Sequence, residues 1–134
     1  MHFNHLAILV CAVSAFVLGG PWYSKALFGR AWGRANGVPI DGKREGAKHP
    51  ARVFGISFVA AWAAAYAFAI LVGPEQVSLH HWLHHGLVCG LGIAATSFAI
   101  NYQFADRSPV LLAIDGGYHI VQFVLYGLIL GLWR

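Results

Sequence analysis

The least expected side chains in this sequence are polar residues inside its last long apolar stretch. They recur at intervals of three or four positions, which places them on one face of a helix. These residues are Asp115, Tyr118, His119, Gln122 and Tyr126. An ionised carboxylate at the centre of a membrane-spanning helix costs about 2.5 to 3.5 kcal/mol. Asp115 must therefore be paired, protonated or hydrated, and His119, one turn later, is its expected local partner.

Two kinds of chemistry fit this polar face. A proton or ion relay would use the charge change of His119 near neutral pH, tuned by Asp115, with the amide and hydroxyl groups further along extending a wet path. A polar clamp would instead fix how this helix packs against its neighbours. Arg107 or the turn at residues 22–24 would then supply the other half of the clamp. The spacing alone leaves both interpretations open.

A second semi-polar stripe runs along the third apolar stretch. Its members follow spacings of three, four and seven residues, and they are His81, His85, Cys89, Gly92, Thr96 and Gln103. If the two stripes face each other, they line one interior seam, which is either a water-filled path or a packed polar core. The chain has two cysteines, Cys11 and Cys89, with no CxxC motif. Both are expected to behave as small apolar residues.

The sequence HHWLHH holds two histidine pairs, each one helical turn apart. They are His80 with His84 and His81 with His85, and His2 and His5 are expected at the same membrane surface. Two imidazoles at this spacing can hold a divalent transition metal, whereas an axial haem site needs histidines from separate helices. The alternative is that interfacial histidines have no ligand role. The sequence requires neither metal nor haem.

Four apolar stretches must position all of these residues. Of the 134 residues, 58% are hydrophobic and 10% are charged, which excludes an ordinary water-soluble fold. The stretches 3–22, 53–73, 82–100 and 110–133 contain no Lys or Arg, and each has about the length that crosses a bilayer as a helix. We therefore expect an all-α integral membrane four-helix bundle, a single domain over residues 1–134. The first stretch lacks a basic region before it, so we expect a helix rather than a cleaved signal peptide.

The distribution of positive charge predicts an orientation. Most Lys and Arg residues lie between the first two stretches: Lys25, Arg30, Arg34, Lys43, Arg44, Lys48 and Arg52. By the positive-inside rule, the loop at 24–52 is cytoplasmic and both termini lie outside, in a bacterial inner membrane. The formal net charge of +4 comes from this loop, so it indicates topology and contact with anionic lipid rather than nucleic-acid binding.

Two features of the connecting segments predict smaller elements. After Ser24, apolar side chains and the pair Arg30 and Arg34 fall on different faces of a short helix that would lie in the headgroup region. Residues 39–50 are rich in turn formers and form a loop that ends where Pro50 begins the second long helix. Motifs with Tyr, Phe and Arg at 23–30 and 102–107 suggest two tandem helical hairpins, unless they reflect only the interfacial preference of these residues.

The stretches GGPWYSKALFGRAW at 19–32 and LLAIDGGYHIVQFVLYGLILG at 111–131, together with FADR at 104–107, resemble the uncharacterised DUF1761 family of small membrane proteins. The specific pieces are WYS followed by FGRAW, and R followed by IDGGYH. The resemblance implies a four-helix arrangement and assigns no activity. The motif residues at the membrane interface are Trp22, Tyr23, Ser24, Phe28, Arg30, Trp32 and Arg107. Lys25 departs from the family, which often has proline after WYS.

Three functions are compatible with these features. The leading one is small-solute or proton-linked transport, or a channel, by a homo-oligomer, because four helices alone enclose little space. The alternatives are a lipid-binding or accessory protein of a membrane complex, and a metal- or haem-binding membrane protein. No nucleophile with suitable His and acid spacing indicates an enzyme. Opposite the polar face, Ala113, Gly116, Gly127 and Gly131 form a small-residue face suited to close helix contact, within the chain or between copies.

Overall fold

The structure, a computed structural model, describes residues 2–38, 48–73 and 77–133, and in these ranges the chain forms five helices and no strand. The helices are α1 (His5–Trp22), α2 (Gly29–Asn36), α3 (Pro50–Val72), α4 (Leu79–Phe104) and α5 (Pro109–Leu132). All except α2 are long and apolar enough to cross a membrane. The prediction of an all-helical chain with four long apolar helices is confirmed. Residues 39–47 of the predicted loop lie outside the described residues.

Side-chain caps, prolines and glycine set the helix ends. α1 begins where Asn4 Oδ1 accepts a hydrogen bond from the amide of Ala7 at 3.0 Å. α5 begins at Pro109, after Ser108, whose hydroxyl accepts a hydrogen bond from a first-turn amide. Proline fits this position because the amide that it lacks has no acceptor within the helix. α2 ends at Asn36, and the next residue, Gly37, has a φ of 68°, which is left-handed and favours glycine.

The long helices form two hairpins that lie side by side. α1 packs against α3, α4 packs against α5 along their length, and α1 also packs against α5, which joins the hairpins. We use "loop end" for the end of the bundle with α2 and the α4–α5 turn, and "terminal end" for the end with residues 2–4 and 133. At the terminal end, the Asn4 amide donates to the carbonyl oxygen of Trp133.

α4 and α5 approach closely because glycines lie where they meet. A Cβ atom added to Gly86 would lie 2.5 Å from the carbonyl oxygen of Phe123, and one added to Gly90 would lie 2.6 Å from Cα of Ile120. Gly127 meets the backbone of α4 at 2.5 Å in the same way. The obstructing atoms are backbone atoms that cannot rotate aside. Larger residues at these positions would therefore force the helices apart.

The small-residue face predicted on the last helix lies largely inside the chain. Gly116, Gly127 and Gly131 are buried against α4, and a Cβ on Gly116 would touch Ala95 at 3.4 Å. Ala113 is exposed. Three of the four small residues thus serve contact within one chain rather than contact between copies.

The packed core occupies the half of the bundle nearer the terminal end. Phe68 of α3 lies at its centre, with ring centroids 5.9 Å from Trp82, 5.8 Å from Phe123 and 6.5 Å from Tyr126. The buried residues of α3 all lie from Ala61 onward. The first half of α3 has no buried residue, and it contacts α1 through Phe54 and Phe58, whose ring centroids lie 6.1 and 5.9 Å from that of Phe16.

The outside of the long helices is apolar. Large apolar side chains that remain exposed occur on every one of them, among them Leu6, Val17, Val59, Leu91, Ile100 and Leu128. A water-soluble bundle rarely leaves such a continuous apolar surface, whereas hydrocarbon requires it. By their length and composition, the four apolar helices indicate a multipass membrane protein.

Candidate functional site

The five residues predicted on one face of α5 divide into separate groups. Asp115 lies near the loop end and contacts the ends of α1 and α4. Tyr118 donates its hydroxyl to a backbone carbonyl oxygen of α1 at 2.7 Å. His119, Gln122 and Tyr126 form a hydrogen-bonded chain nearer the terminal end. These polar side chains therefore do not form one continuous hydrogen-bonded chain along α5.

Asp115 joins three helices through two tyrosine hydroxyls. Tyr23, directly after α1, donates to Oδ1 at 2.6 Å, and Tyr102, in the last turns of α4, donates to Oδ2. Each carboxylate oxygen thus has a donor, which lowers the cost of placing this group in an apolar helix. The hydrogen-bond partners are these hydroxyls and not His119, the expected local partner, because the fold brings two distant helix ends to the carboxylate.

The two tyrosines hold equivalent places in the two hairpins. Tyr23 follows the first helix of one hairpin, and Tyr102 ends the first helix of the other. Burial raises the pKa of Tyr23, and its hydrogen bond to Asp115 raises that pKa further. The Tyr23 hydroxyl therefore stays protonated and acts as a donor. The similar motifs at 23–30 and 102–107 each begin with a tyrosine that donates to Asp115.

The turn after α1 is fastened to α5 by Trp22. Its indole Nε1 donates to the carbonyl oxygen of Ile114 at 2.9 Å, and the ring of Phe28 packs against it with centroids 4.8 Å apart. α2 begins directly against this turn, since a Cβ on Gly29 would overlap the carbonyl oxygen of Tyr23. Of the two partners expected for a clamp, this turn is the one that contacts Asp115.

The other residues of the interfacial motif surround this turn. The Ser24 hydroxyl donates to a carbonyl oxygen of its own turn at 2.7 Å, and the ring of Trp32 lies edge-on to that of Tyr23. Arg30 is exposed on α2. Arg107 donates to Oδ1 of Asn36 at 2.8 Å, so its hydrogen bond fastens α2 to the α4–α5 turn.

A second polar chain connects α5 with α3. His119 Nδ1 lies 2.5 Å from Gln122 Oε1, and Gln122 Nε2 donates to the Tyr126 hydroxyl at 2.8 Å. Tyr126 donates in turn to the carbonyl oxygen of Ala61 at 3.0 Å. Gln122 is only 4% exposed and Tyr126 is fully buried. The chain satisfies these buried groups and ends on a backbone acceptor of α3.

A cleft of about 820 Å³ lies between all four long helices. Ser57 and Ala60 stand on its α3 wall, and His119, Gln122 and Phe123 stand on its α5 wall. The wall consists mainly of small and aromatic side chains. The core around Phe68 and Tyr126 bounds the cleft toward the terminal end, and nearer the loop end its α3 wall consists of exposed residues, Val53, Phe54 and Ser57. This cleft, with the histidine in its wall, is the candidate site.

The residues predicted to form a seam on the third span are separated. Cys89 is buried in the core, and His85 is half-buried, with Nδ1 2.9 Å from a carbonyl oxygen one turn earlier. Thr96 and Gln103 are exposed, so a single inward seam is not the arrangement observed. The physical reason is that Val88–Ala95 is a π-helical segment with a wider turn. Positions beyond it leave the face that a repeat of 3.6 residues predicts.

The histidines of HHWLHH form two side-by-side pairs on α4. The ring centroids of His81 and His85 are 4.1 Å apart, and those of His80 and His84 are 6.4 Å apart. In the part of the chain that the structure describes, no group of three or more His, Cys, Asp or Glu side chains is placed to hold a metal ion. A structural zinc site uses four ligands, so the geometry supplies no support for a metal centre.

Sequence reasoning missed the α3 wall and the glycines of α4. Ser57, Ala60 and Ala64 carry no periodic polar signal, and only their place opposite α5 shows that they line the cleft. Gly86 and Gly90 did have a signal, since their GxxxG spacing is typical of close helix packing in membranes.

Comparison with known proteins gives one result. Residues 6–131 match the model of a family described as a protein of unknown function, DUF1761. No curated protein and no solved structure matches the chain.

Proposed function

This chain belongs to the DUF1761 family, whose description assigns no function, and we propose from the geometry of its cleft that it is a carrier for a small, largely apolar solute. The observation that supports this proposal is the cleft. Its volume of about 820 Å³ lies in the range of ligand sites in proteins, about 300 to 1,000 Å³. A mostly apolar wall with a few fixed polar groups is also typical of such sites.

The distribution of packing supports transport rather than binding alone. In this proposal the cleft is entered from the loop end, where its α3 wall has no buried residue, and the core around Phe68 separates it from the terminal end. α3 is held to the other hairpin mainly near Ala61 and beyond. Rocking of one hairpin against the other would open the opposite side, as in alternating access by helical repeats. With the positive-inside orientation, the solute enters from the cytoplasmic side of a bacterial inner membrane.

Proton linkage in this proposal acts through His119. Among the described residues that line the cleft, it is the one whose ordinary titration falls near neutral pH. Asp115 serves instead as the clamp that joins α1, α4 and α5 at the loop end.

Self-association is part of the proposal, but the cleft does not depend on it. A single chain encloses the cleft with its own four helices, although four helices were expected to enclose too little space. A homo-oligomer would form by close packing of helix faces between copies, since lipid provides no hydrophobic driving force between helices.

The test compares two tryptophan substitutions on α3. Ala60 and Ala63 are both exposed, but Ala60 lines the cleft and Ala63 does not. Uptake of radiolabelled low-polarity solutes is screened in proteoliposomes against empty liposomes, and the solute with the largest saturable uptake is used for the variants. Ala60→Trp is expected to raise the half-saturating concentration about tenfold, since losing roughly 60 Å² of apolar contact costs about 1.5 kcal/mol.

Ala63→Trp is the matched control and is expected to behave as the wild type. Passive permeation does not saturate, so it cannot imitate the expected result. Absence of saturable uptake for every solute would refute the transport proposal. Equal effects of the two substitutions would refute the assignment of the cleft as the site.

Lipid binding is a second candidate, favoured by a separate observation. Arg30 and Arg34 are both exposed on α2, one helical turn apart, at the end of the bundle where headgroups would lie. Two guanidinium groups so placed fit the phosphates of anionic lipids. In this role α2 would anchor the loop end at the membrane surface.

A further inference from the structure

The hydrogen-bond chain beside the cleft has a single possible direction. The carbonyl oxygen of Ala61 can only accept, so the Tyr126 hydroxyl, 3.0 Å away, donates its one proton to it. The oxygen of that hydroxyl then has only acceptor capacity left for Gln122. Gln122 must therefore present its amide Nε2 to Tyr126, as observed at 2.8 Å.

This direction determines which atom of Gln122 faces the histidine. With Nε2 turned to Tyr126, Oε1 faces the imidazole and lies 2.5 Å from Nδ1 of His119. An amide oxygen is only an acceptor, so Nδ1 carries the proton. In the neutral imidazole, Nε2 is then unprotonated and can accept a hydrogen bond.

Nε2 of His119 is the unpaired nitrogen of a residue that lines the cleft. His119 lines the cleft, and within the described ranges its Nε2 has no hydrogen-bond partner. Nε2 of His119 is also not completely buried. Among the described residues, the completely buried side-chain nitrogen or oxygen atom that lacks a partner is Nε1 of Trp82. The ring of Phe98 stacks on the imidazole with centroids 5.0 Å apart and holds its orientation.

Of the other polar side chains of the wall, the exposed Ser57 hydroxyl can donate or accept, and the rest have partners of their own. The Tyr23 hydroxyl donates to Asp115, the Tyr118 hydroxyl donates to α1, and Gln122 is held within its chain. No Lys, Arg, Asp or Glu is among the described residues that line the cleft. A charged ligand would therefore lose its hydration without a fixed counter-charge. The complementary ligand is uncharged and brings a hydrogen-bond donor.

The aromatic character of the wall narrows the ligand class. Phe16, Phe54, Phe98 and Phe123 all line the cleft, and such rings pack favourably against an aromatic ligand. We infer that the solute is an uncharged phenol with a further apolar part. Its hydroxyl donates to Nε2 of His119. This inference rests on the proposed function of the cleft and deepens it.

The test uses a matched pair of probes, 1-naphthol and its methyl ether 1-methoxynaphthalene. Binding of each to the protein in nanodiscs is measured at about pH 8, where imidazole is neutral, and binding to empty nanodiscs is subtracted. The ether has the same rings but no donor. We expect naphthol to bind roughly two- to tenfold more tightly, the range that corresponds to one hydrogen bond.

Tyr126→Phe provides the specific variant because Tyr126 does not line the cleft. Without its hydroxyl, Gln122 is free to turn over, and Nε2 of His119 can carry the proton. The preference for naphthol is then expected to fall to near unity, while the ether binds as before. Tyr66→Phe is the control, since Tyr66 is on α3 outside the cleft and pairs with His5. This variant is expected to keep the preference.

The imidazole nitrogens are read directly by ¹⁵N NMR of histidine-labelled wild-type protein, with His119 assigned from a His119→Asn variant. This measurement decides the matter even where Tyr126→Phe does not fold. We expect a protonated Nδ1 and an unprotonated Nε2. A protonated Nε2, or equal binding of the two probes, overturns the inference and leaves the proposed function standing. If neither probe binds saturably, the inference also fails, whereas the proposed function fails only if the uptake screen finds no saturable solute.

Discussion

Substitution of Gly90 by alanine is expected to weaken the α4–α5 contact and to disturb the cleft. The added Cβ would lie 2.6 Å from Cα of Ile120 and 2.9 Å from the carbonyl oxygen of His119. Carbon atoms in good contact are about 3.5 to 4.0 Å apart, so the helices must separate locally by about 1 Å. Overpacking of this kind costs about 1 to 3 kcal/mol. The segment that moves carries the imidazole of the proposed site.

Gly92→Ala is the matched control. Gly92 lies in the same π-helical segment, Val88–Ala95, and its added Cβ would have only a side-chain atom of Val88 as a neighbour, at 4.0 Å. Both substitutions gain the helix propensity of alanine, about 1 kcal/mol. That gain cancels in the comparison, so the difference between the variants measures the steric cost. We expect Gly92→Ala to be the more stable variant by about 1 to 3 kcal/mol.

The free energy of unfolding is measured for both variants in detergent micelles by denaturant titration followed by circular dichroism. Uptake of the selected solute is measured in parallel, and Gly90→Ala is expected to reduce it because the backbone at His119 shifts. Equal unfolding free energies for the two alanine variants would refute the close approach of α4 and α5 at Gly90. Normal uptake by a destabilised Gly90→Ala protein would show that the function of the cleft does not depend on the close packing of α4 and α5 at Gly90.

Three further predictions concern the loop end. Tyr23→Phe removes the donor to Oδ1 of Asp115 and should lower the free energy of unfolding by about 1 to 3 kcal/mol. In a double-mutant cycle with Asp115→Ala, the two effects on this free energy should be non-additive. Additive effects would contradict the contact. Trp22→Phe removes a hydrogen bond to a carbonyl oxygen of α5 and should cost about 1 kcal/mol in the same titration, so unchanged stability would argue against it. Replacing Arg30 and Arg34 by Gln should leave the fold intact and reduce co-purified anionic lipid, counted by native mass spectrometry; an unchanged lipid count would exclude α2 as a lipid site.

The long helices were predictable because a long apolar stretch has few alternatives in a bilayer. Each such stretch must close its backbone hydrogen bonds locally, and prolines at Pro50 and Pro109 mark where two helices begin. The polar face of α5 was predictable for the same reason, since a regular α-helix keeps its side-chain periodicity without reference to the rest of the chain. On α4 the same reasoning failed beyond Cys89, where the π-helical turn changes the periodicity.

The candidate site was predictable only in part. His119 and Gln122 were identified from their spacing, but the wall opposite them, at Ser57, Ala60 and Ala64, consists of small residues with no chemical signal of their own. Their role follows from where α3 stands relative to α5. Local spacing also suggested the wrong hydrogen-bond partner for Asp115, because a neighbour along a helix competes with groups that arrive from other helices.

Composition and periodicity alone determined that this chain is helical, that four helices can cross a membrane, and that one of them turns polar groups to one side. Those properties depend on interactions within a few residues, which the local sequence contains. Only the tertiary structure decided that Tyr23 contacts Asp115, 92 positions away, and that Tyr126 contacts Ala61, 65 positions away. The packing of one helix against another selects such pairs, and it also decides which residues of the four helices line the cleft.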